Sequence, residues 1–491
     1  MRKTPEKIRN VDLKAIAHKA MKQYGFETKF PPAMVAQVNN LDSSMPEKAA
    51  QGIIDLRDLL WSSIDNSDTM DFDQVEYCEQ GQDGEIFVKV AVADVDAYVP
   101  KGSAADIYAS NNTTSVYTGI EVFPMLPDRL SKGLSSLAPG EDRLVVVIEF
   151  AVQPAGDVRV GKVYRALIRN KAKLVYEEVG DWLEGKGKMP EIVKSLNGLE
   201  AQLKLQNKAS LRLEAYRIGR GALELETLEA RAIIQDENVL GFIVVRANRA
   251  RHIIENFMVA ANGVMSRFLE GENIPTIQRV VRIPKDWSGI VGLAKSRGAI
   301  LPDIPNAKAL AIFLAKQRKA DPEGFPDLSL TVVKLLGHGE YIMYDKGDPI
   351  GHFCLAVTSY THATAPNRRY VDLVIQRILK AALKNVRSPY GKKELSEIAA
   401  WCTEMEIASK KAERFMVKAE GAVLLAGKIG QEFDAIVTGA SHKGVYARLV
   451  DPPVEGKMAR WTKGLRVGQK VRVELVGLDP EKGFIDFEQV V

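Results

Sequence analysis

Several residue types and patterns are scarce in this 491-residue sequence, and each scarcity excludes a class of protein. The three cysteines, Cys78, Cys354 and Cys402, lie far apart, which excludes a disulfide framework and a zinc site built on paired cysteines. No uncharged apolar run reaches about eighteen residues, the length that a membrane-spanning helix needs, and no apolar stretch follows the basic N-terminus as it would in a signal peptide. The sequence therefore predicts a reduced, cytoplasmic protein that does not contact a membrane.

Neither sign of charge dominates the composition. The chain has 67 basic and 63 acidic residues, a net charge of +4 and a pI of about 8.6. This excess is weaker than that of a histone-like protein, yet it is compatible with a nucleic-acid enzyme whose basic groove is balanced by acidic surface elsewhere. With 46% hydrophobic and 26% charged residues the composition is globular. The length favours about three domains.

The spacing of apolar residues changes along the chain. A helix that docks through its apolar face is predicted at residues 12–24, and this reading is favoured over a nucleic-acid-binding arm. Alternating strands are predicted at 84–99, 142–152 and 158–170. A helical region follows from about 176 to 231. Mixed helices and strands then continue to about 425, and the clearest helices are predicted at 250–270 and 369–385. Five short alternating segments at the C-terminus are typical of an OB-type barrel. We therefore predict an α+β fold, a mixed sheet region with packed helices, followed by an OB-fold barrel.

A dense group of aspartates occurs at residues 62–75, which read SSIDNSDTMDFDQV. We expect Asp65 to end one strand and Asp71 and Asp73 to share one face at the start of the next, with a short polar loop bringing the three together. Carboxylates this close repel each other unless a cation neutralises them. Such oxygen ligands suit Mg²⁺ or Mn²⁺, and two ions can stabilise both the attacking and the leaving oxygen of a phosphodiester displacement. The alternative is that these aspartates cap turns and face solvent.

A second candidate site is the segment at residues 360–373, which reads YTHATAPNRRYVDL. Pro366 is predicted at the first position of a helix, which places Arg368 and Arg369 in its first turn beside free backbone N–H groups. Two guanidiniums there would form an anion site suited to a phosphate in mid-transfer. The alternative is a surface pair of arginines that forms salt bridges with Asp372.

These two segments and the terminal barrel resemble the ribonuclease II/R family, in which an RNB catalytic domain precedes an S1 domain. The metal motif of that family is an aspartate, five residues and then Asp-hydrophobic-Asp-Asp, which here corresponds to Asp65, Asp71-Phe72-Asp73 and Gln74. Its arginine motif is matched by Tyr360, His362, Thr364, Pro366, Arg368, Arg369, Tyr370, Asp372 and Leu373. The resemblance implies an RNB domain at 49–425 and an S1 domain at 428–491. A short basic helical segment at 1–48 would stand where the family usually has cold-shock domains.

The resemblance implies processive, hydrolytic 3′-to-5′ degradation of single-stranded RNA to nucleoside 5′-monophosphates by two metal ions, with Mg²⁺ as cofactor and Mn²⁺ as a possible substitute. Asp65, Asp71 and Asp73 would be catalytic metal ligands, with Asp73 also orienting the attacking water, and Arg368 would clamp the scissile phosphate. The expected RNA contacts are Tyr117 and Tyr176 near the 3′ end, then Glu255, Asn256, Arg369 and Tyr370, and on the barrel Phe433, His442, Lys443, Tyr446 and Arg448. We expect a monomer with no obligate protein partner.

Several positions depart from the family pattern and keep alternatives open. Gln74 replaces the fourth aspartate, and its amide oxygen can ligate a metal but carries no charge, so weaker binding of one ion is expected unless Asp68 compensates. Asn256 replaces a glutamate, which leaves open which residue reads the ribose 2′-OH. Phe433 and Tyr446 could instead fill the barrel, and Tyr117 and Tyr176 could be ordinary core residues. The alternative function is an RNA-binding or regulatory protein with weak or no nuclease activity, and a remote third is a phosphodiesterase acting on DNA or small nucleotides.

Overall fold

A mixed sheet lies at the centre of the larger part of the molecule. The computed structural model describes residues 11–42, 52–226, 228–347, 350–441, 444–460 and 464–490. The first nine strands are β1 (Ile54–Asp55), β2 (Ser62–Asp65), β3 (Gln74–Gln80), β4 (Ile86–Ala93), β5 (Val116–Tyr117), β6 (Val122–Phe123), β7 (Asp142–Val152), β8 (Val158–Arg169) and β9 (Ala172–Val175). Seven of them form a sheet in the order β1-β8-β7-β4-β3-β2-β9, and β5 and β6 pair as a separate hairpin.

Helices pack against this sheet and continue beyond it. They are α1 (Leu13–Gln23), α2 (Pro32–Asn39), α3 (Ala104–Asn112), α4 (Tyr176–Leu183), α5 (Glu191–Ser195), α6 (Leu199–Gly219), α7 (Arg249–Gly271), α8 (Trp287–Ser296), α9 (Ala307–Ala320), α10 (Phe325–Leu336), α11 (Tyr370–Leu383) and α12 (Lys392–Leu424). No helix in the described ranges combines the length and apolar character needed to cross a bilayer.

The core of the sheet follows from its sequence pattern. β7, which reads DRLVVVIEFAV, spans the whole predicted strand and pairs with β4 from Ile86↔Val152 to Ala93↔Val145. Runs of β-branched residues fit this pleated environment. Val90 of β4, Phe150 of β7 and Phe257 of α7 are fully buried in one cluster, so the long helix α7 closes the core over the sheet.

The first and the last long helices pack together. Asp12 caps α1 by accepting a hydrogen bond from Ala15 N–H (2.8 Å). The apolar face of α1 buries Ile16 and Met21 against Met405 and Met416 of α12. The prediction of a docked helix in this segment is confirmed.

A closed barrel forms the C-terminal part of the molecule. Its strands are β14 (Glu432–Ser441), β15 (Gly444–Leu449), β16 (Glu455–Arg460), β17 (Lys470–Asp479) and β18 (Phe484–Gln489), in the order β14-β15-β16-β18-β17. Val437, Leu475 and Phe487 fill its interior. The predicted α+β fold with an OB-type barrel is confirmed.

Part of the region predicted to be helical between 176 and 231 is not. The helices end at Gly219, and β10 (Glu229–Gln235) pairs with β11 (Asn238–Val245) as an antiparallel hairpin. A further pair, β12 (Thr276–Val280) with β13 (Glu340–Tyr344), lies among the later helices.

The strand that follows the aspartate segment begins later than predicted. β3 starts at Gln74, so Asp71 and Asp73 lie in the segment before it. Phe72 N–H donates to Ser136 Oγ (3.1 Å), and the Phe72 carbonyl accepts from Leu137 N–H (3.0 Å). This segment therefore bonds to the loop at residues 136–137, and the Asp73 carbonyl also accepts from Ala93 N–H of β4 (2.9 Å). The prediction that Asp65 ends the preceding strand is confirmed, because β2 ends there.

The helix that follows the arginine segment also begins later than predicted. Residues 366–368 form a turn, and α11 starts at Tyr370. Arg369 has an extended backbone (φ −137°, ψ 124°) and forms an antiparallel bridge with Thr114. Because this pairing to another part of the chain fixes Arg369 outside the helix, neither arginine lies in a first helical turn.

Candidate active site

The candidate site lies where β2 ends and β3 begins, and the turn before α11 crosses this point. Asp65 stands at the end of β2, and its Oδ1 accepts hydrogen bonds from Asn66 N–H (2.8 Å) and Thr69 Oγ1 (2.9 Å). These contacts fold the polar loop back on Asp65 and hold its carboxylate at the end of β2. The Asp65 carboxylate therefore has a fixed position at the start of the loop.

Asp73 joins the aspartate segment to the arginine segment. Its Oδ1 accepts from Asn367 N–H (2.9 Å), and its Oδ2 accepts from Arg368 Nε–H (3.1 Å). The Asp73 side chain is buried, whereas that of Arg368 is 44% exposed. Burial raises the pKa of Asp73 to about 7, against the opposing effect of the Arg368 guanidinium. The structure thus brings together two residues that are 295 positions apart in sequence.

Asp71 completes the acidic group. Partial burial raises the pKa of Asp71; the positive charge of Arg368 opposes this rise, and the negative charge of Asp65 adds to it. Asp65, Asp71, Asp73 and Arg368 therefore act on one another electrostatically at one place in the fold. A phosphate that approached this group would meet an exposed guanidinium beside carboxylates that attract a cation.

The donors at this place suit a hard divalent cation. The carboxylates of Asp65 and Asp71 lie here and Gln74 begins β3, and Mg²⁺ commonly binds through one or two carboxylates and takes its other ligands from water and substrate phosphates. In the part of the chain that the structure describes, no three His, Cys, Asp or Glu side chains form a ready-made metal cluster. Asp68, which could compensate for Gln74, pairs with Arg231 of β10 on the surface (2.9 Å).

Two predicted tyrosines flank the acidic group. Tyr117 ends β5 and is 43% exposed, and burial of its hydroxyl raises its pKa, with Arg368, Asp71 and Asp73 as neighbouring charges. Tyr176 begins α4, and the Arg251 guanidinium lies 4.3 Å from the centre of its ring. Burial raises the pKa of Tyr176, and Asp65 adds to the rise. Both rings are therefore placed beside the candidate site.

A cavity of about 1050 Å³ extends from Tyr176 between α6, α7 and α9. Glu255 lines it, close to Arg217 (3.8 Å) and His252 (3.7 Å). The interaction with His252 lowers the pKa of Glu255 and raises that of His252. Leu225 also lines the cavity.

Three residues predicted to contact RNA are bonded within the protein. Asn256 is buried, accepts from Arg217 and donates to Ser210 Oγ (2.9 Å), so an RNA contact of Asn256 is not supported and only Glu255 of this pair reaches the cavity. Tyr370 is buried and donates to Asp106 Oδ1 (3.1 Å). Arg369 donates to Asp372 Oδ1 (2.7 Å), as the salt-bridge alternative expected. Tyr370 and Arg369 therefore hold the arginine segment in place.

The barrel residues divide between its interior and its surface. Val445 and Ala447 point inward, so Tyr446 and Arg448 point outward. Their outward side faces the rest of the molecule, because Arg448 pairs with Asp327 of α10 (3.1 Å) and Lys418 of α12 lies 5.2 Å from the Tyr446 ring. The Arg448 guanidinium is therefore engaged within the protein and not free for RNA. Phe433 packs partly buried against the barrel core, and His442 and Lys443 lie outside the described residues.

Two residues near the site were not predicted from the sequence. Glu76 of β3 is fully buried, burial raises its pKa well above the usual range, and Asp65 adds to the rise. Its position two residues after Gln74 in an alternating strand is a signal that could have identified it. Arg251 donates to Asn66 Oδ1 (3.0 Å) and Glu177 Oε1 (2.8 Å). No local pattern indicates these contacts, which join distant segments.

The chain was compared with known families and proteins. An RNB domain matches residues 53–385, and an RNase II-type exonuclease C-terminal S1 domain matches residues 431–490. Ribonuclease R of Vibrio parahaemolyticus is 29% identical over 518 residues, covering 96% of this chain and 60% of that protein, so the chain spans about 60% of the length of this relative.

Solved structures show the same fold. Mycoplasma genitalium RNase R in complex with ribose methylated single-stranded RNA has a TM-score of 0.86 and 24% identity, covering 98% of this chain and 78% of that one. Yeast Ssd1, described as a pseudonuclease, has a TM-score of 0.71 and 16% identity, covering 96% of this chain and 58% of that one. Because an RNB domain and an S1 domain match most of its length and a ribonuclease R is among its relatives, the chain belongs to the RNB family of the ribonuclease II/R type.

Proposed function

We propose that this protein is a hydrolytic exoribonuclease that shortens single-stranded RNA from its 3′ end and releases nucleoside 5′-monophosphates. The observation that carries the proposal is the direct contact of Arg368 with Asp73 beside Asp65 and Asp71. A guanidinium and a group of carboxylates at one point are what a phosphodiester in mid-transfer requires. The RNA-bound relative with the same fold supports RNA as the substrate.

Arg368 is the proposed clamp on the scissile phosphate. Its Nε–H is held by Asp73, and the exposed part of the guanidinium retains further N–H donors for phosphate oxygens. Both oxygens of Asp73 accept hydrogen bonds from the arginine segment. We therefore assign Asp73 first to positioning Arg368 and orienting the attacking water, with its predicted metal contact secondary.

Asp65, Asp71 and Gln74 are the proposed ligands of Mg²⁺, with Mn²⁺ as a substitute. A bound divalent cation would stabilise negative charge on the phosphate and activate water near neutral pH. Two carboxylates and an amide carry less charge than the family's four aspartates, so counting the ions per molecule is the test of two-metal catalysis.

The strand of RNA is proposed to pass between the two tyrosines. Tyr117 and Tyr176 would stack on bases near the 3′ end, where such contacts contribute about 1–3 kcal/mol per base and tolerate any base. The cavity beyond Tyr176, with Glu255 on its wall, offers a carboxylate acceptor for a ribose hydroxyl. An acceptor of this kind would favour RNA over DNA.

One assay separates this function from its alternatives. A 5′-labelled oligo(A) RNA and its DNA counterpart are incubated with the protein, with and without Mg²⁺. We expect mononucleotides to be released from the RNA, and only when Mg²⁺ is present. RNA binding without cleavage would favour a regulatory protein, for which Gln74 is the motivating observation, and cleavage of the DNA would favour a phosphodiesterase of broader specificity.

A further inference from the structure

A cavity of about 410 Å³ lies at the C-terminal end of α11. α11 has 14 residues, so this end is about 20 Å from the end that follows Arg368. Among the described residues that line the cavity, six are basic and one, Asp96, is acidic. The basic residues are Lys101, Arg165, Arg377, Lys380, Lys384 and Arg387. Because basic and acidic residues are nearly equal in number over the whole chain, this ratio distinguishes the cavity from the rest of the surface.

The buried part of the lining is neutralised within the protein. Arg165, Arg377 and Lys380 are largely buried, and they pair with three carboxylates, those of Asp94, Asp96 and Asp106. Arg165 donates to Asp94 Oδ2 through Nε (3.1 Å) and Nη2 (3.0 Å), and its Nη1 has no hydrogen bond within the described part of the chain. These contacts hold the buried cations in fixed positions and leave one guanidinium nitrogen available.

The exposed part of the lining is not neutralised. Lys101 pairs with Glu394 (2.7 Å). Lys384 and Arg387 are exposed, and neither forms an ion pair with any residue that the structure describes. Four carboxylates therefore offset six cations, and two positive charges at the cavity have no partner in the described ranges.

Positive charges at the end of a helix also stabilise the helix dipole. Lys380 lies in the last turn of α11 and Lys384 is its C-cap, so these two residues have that role whether or not a ligand binds. Arg387 lies three residues beyond the cap, and Arg165 belongs to β8. The helix dipole does not account for these two arginines, which reach the same cavity from different elements.

We propose that this cavity binds the diphosphate group of a small molecule, held by Lys384, Arg387 and the available Nη1 of Arg165. Charged N–H donors form strong hydrogen bonds with phosphate oxygens. The volume falls within the range of small-molecule sites, and Val386 and Pro389, both exposed in the lining, offer apolar surface to an organic part such as a nucleoside. The inference is independent of the proposed function, since the cavity lies at the opposite end of α11 from Arg368.

ADP and inorganic pyrophosphate both carry this group and are the probes. Each is titrated into the full chain by isothermal titration calorimetry, in EDTA and without RNA, and adenosine, which lacks phosphate, should not bind. Lys384→Gln together with Arg387→Gln should weaken both affinities by at least about tenfold, because charge-assisted hydrogen bonds are lost. Lys393→Gln is the matched control, since Lys393 of α12 is 91% exposed and outside the cavity lining, and it should change either affinity by less than about twofold.

Arg368→Gln separates this cavity from the candidate active site. Its affinity for ADP should stay within about twofold of the unmodified value, because the two sites are farther apart than the range of screened charges. The two probes also distinguish the source of the diphosphate. Tighter binding of ADP would assign the cavity to a nucleotide, and equal binding would assign it to free pyrophosphate.

Three results would overturn the inference. They are no binding of ADP or pyrophosphate up to about 1 mM, affinities of the double variant within about twofold of the unmodified protein, and a loss of ADP binding in Arg368→Gln as large as in the double variant. If the double variant lost affinity for oligo(A) RNA while ADP and pyrophosphate never bound, the cations would instead belong to a path for the RNA strand. The nuclease function is judged separately, by RNA cleavage, and none of these binding results decides it.

Discussion

The Asp73 side chain alone joins the arginine segment to the aspartate segment. Its two oxygens accept from Asn367 N–H and Arg368 Nε–H, so one carboxylate sets the distance between the clamp and the acidic loop. Burial raises its pKa to about 7, and the nearby guanidinium opposes that rise. A substitution that keeps the size of the Asp73 side chain but removes its charge therefore tests the role of the charge alone.

Asp73→Asn preserves the size of the side chain and removes the charge. We expect cleavage of oligo(A) RNA to slow by at least about a hundredfold, because an amide neither anchors Arg368 as an ion pair nor accepts a proton from water. RNA affinity should stay within about threefold. Single-turnover cleavage and fluorescence anisotropy measure the two quantities, and Asp303→Asn, on an exposed loop, is the control. An unchanged cleavage rate would show that Asp73 has no part in the reaction.

Glu420 offers a test of stability against pH. Burial in α12 raises its pKa from 4.5 to about 8, so the folded state retains a proton that the unfolded state releases between these values. The free energy of unfolding should therefore fall as pH rises through this window. Glu420→Gln cannot titrate, so relative to the unmodified protein it should gain roughly 2–4 kcal/mol at pH 8.5 over pH 5.

Urea unfolding at the two pH values measures this difference. Glu404→Gln, on the exposed side of the same helix, should show no such gain. A difference between Glu420→Gln and the unmodified protein that does not change with pH would mean that Glu420 is already ionised in the fold.

At the scale of elements, the β5–β6 hairpin that carries Tyr117 is held from both sides. On one side, His18 of α1 lies 3.3 Å from Glu121 and packs edge-on against Phe123. On the other, Glu413 of α12 accepts from Tyr117 N–H (3.3 Å). The hairpin turns at Gly119, which has a φ of +80°. Its Cα faces the Glu420 carboxylate so closely that a Cβ would collide with it.

Gly119→Ala should therefore displace Tyr117. We expect RNA affinity to fall by about fivefold to 150-fold, similar to the loss in Tyr117→Ala, because a stacking platform contributes about 1–3 kcal/mol. Anisotropy with oligo(A) RNA measures this affinity. Gly102→Ala is a closely matched control, since Gly102 also has a φ of +80° but has no atom within 4 Å of its Cβ position. Equal RNA affinities of the two variants would show that the hairpin does not position Tyr117.

The elements also show how far the sequence alone could be interpreted. The predicted strand at 142–152 and helix at 250–270 agree with β7 and α7, because a long apolar pattern of one period depends on neighbouring residues only. The start of α11 was predicted wrongly. Pro366 favours a helix start locally, but the bridge between Arg369 and Thr114 overrides it, and no short window of sequence contains that partner.

At the scale of the whole molecule, the barrel is fixed to the sheet-and-helix part by buried polar contacts. Arg448 pairs with Asp327, both largely buried, and Lys334 Nζ donates to the Thr438 carbonyl (3.0 Å). Val454 of the barrel also packs against Gly421 of α12. The barrel therefore holds one orientation relative to the candidate site.

Asp327→Asn would leave the Arg448 guanidinium buried without a charged partner. We expect a loss of about 3 kcal/mol in the free energy of unfolding and more frequent release of RNA before digestion is complete. Urea unfolding gives the first quantity, and cleavage of labelled RNA in the presence of excess unlabelled RNA gives the second. Asp434→Asn breaks an exposed pair with Arg472 on the same barrel and should change stability by less than about 1 kcal/mol. If Asp327→Asn matched this control in both measurements, the docking contact would have no role in holding RNA.

The sequence by itself determined the fold class, the barrel and the two segments that meet at the site, because these depend on periodicity and on motifs contained in short stretches. Only the tertiary structure decided which predicted residues are available: it buries Asn256 and Tyr370 and pairs Arg448 with Asp327. The physical reason is that burial and charge pairing are properties of contacts between distant segments. A residue such as Asp73, 295 positions from Arg368, acquires its partner only when the chain has folded.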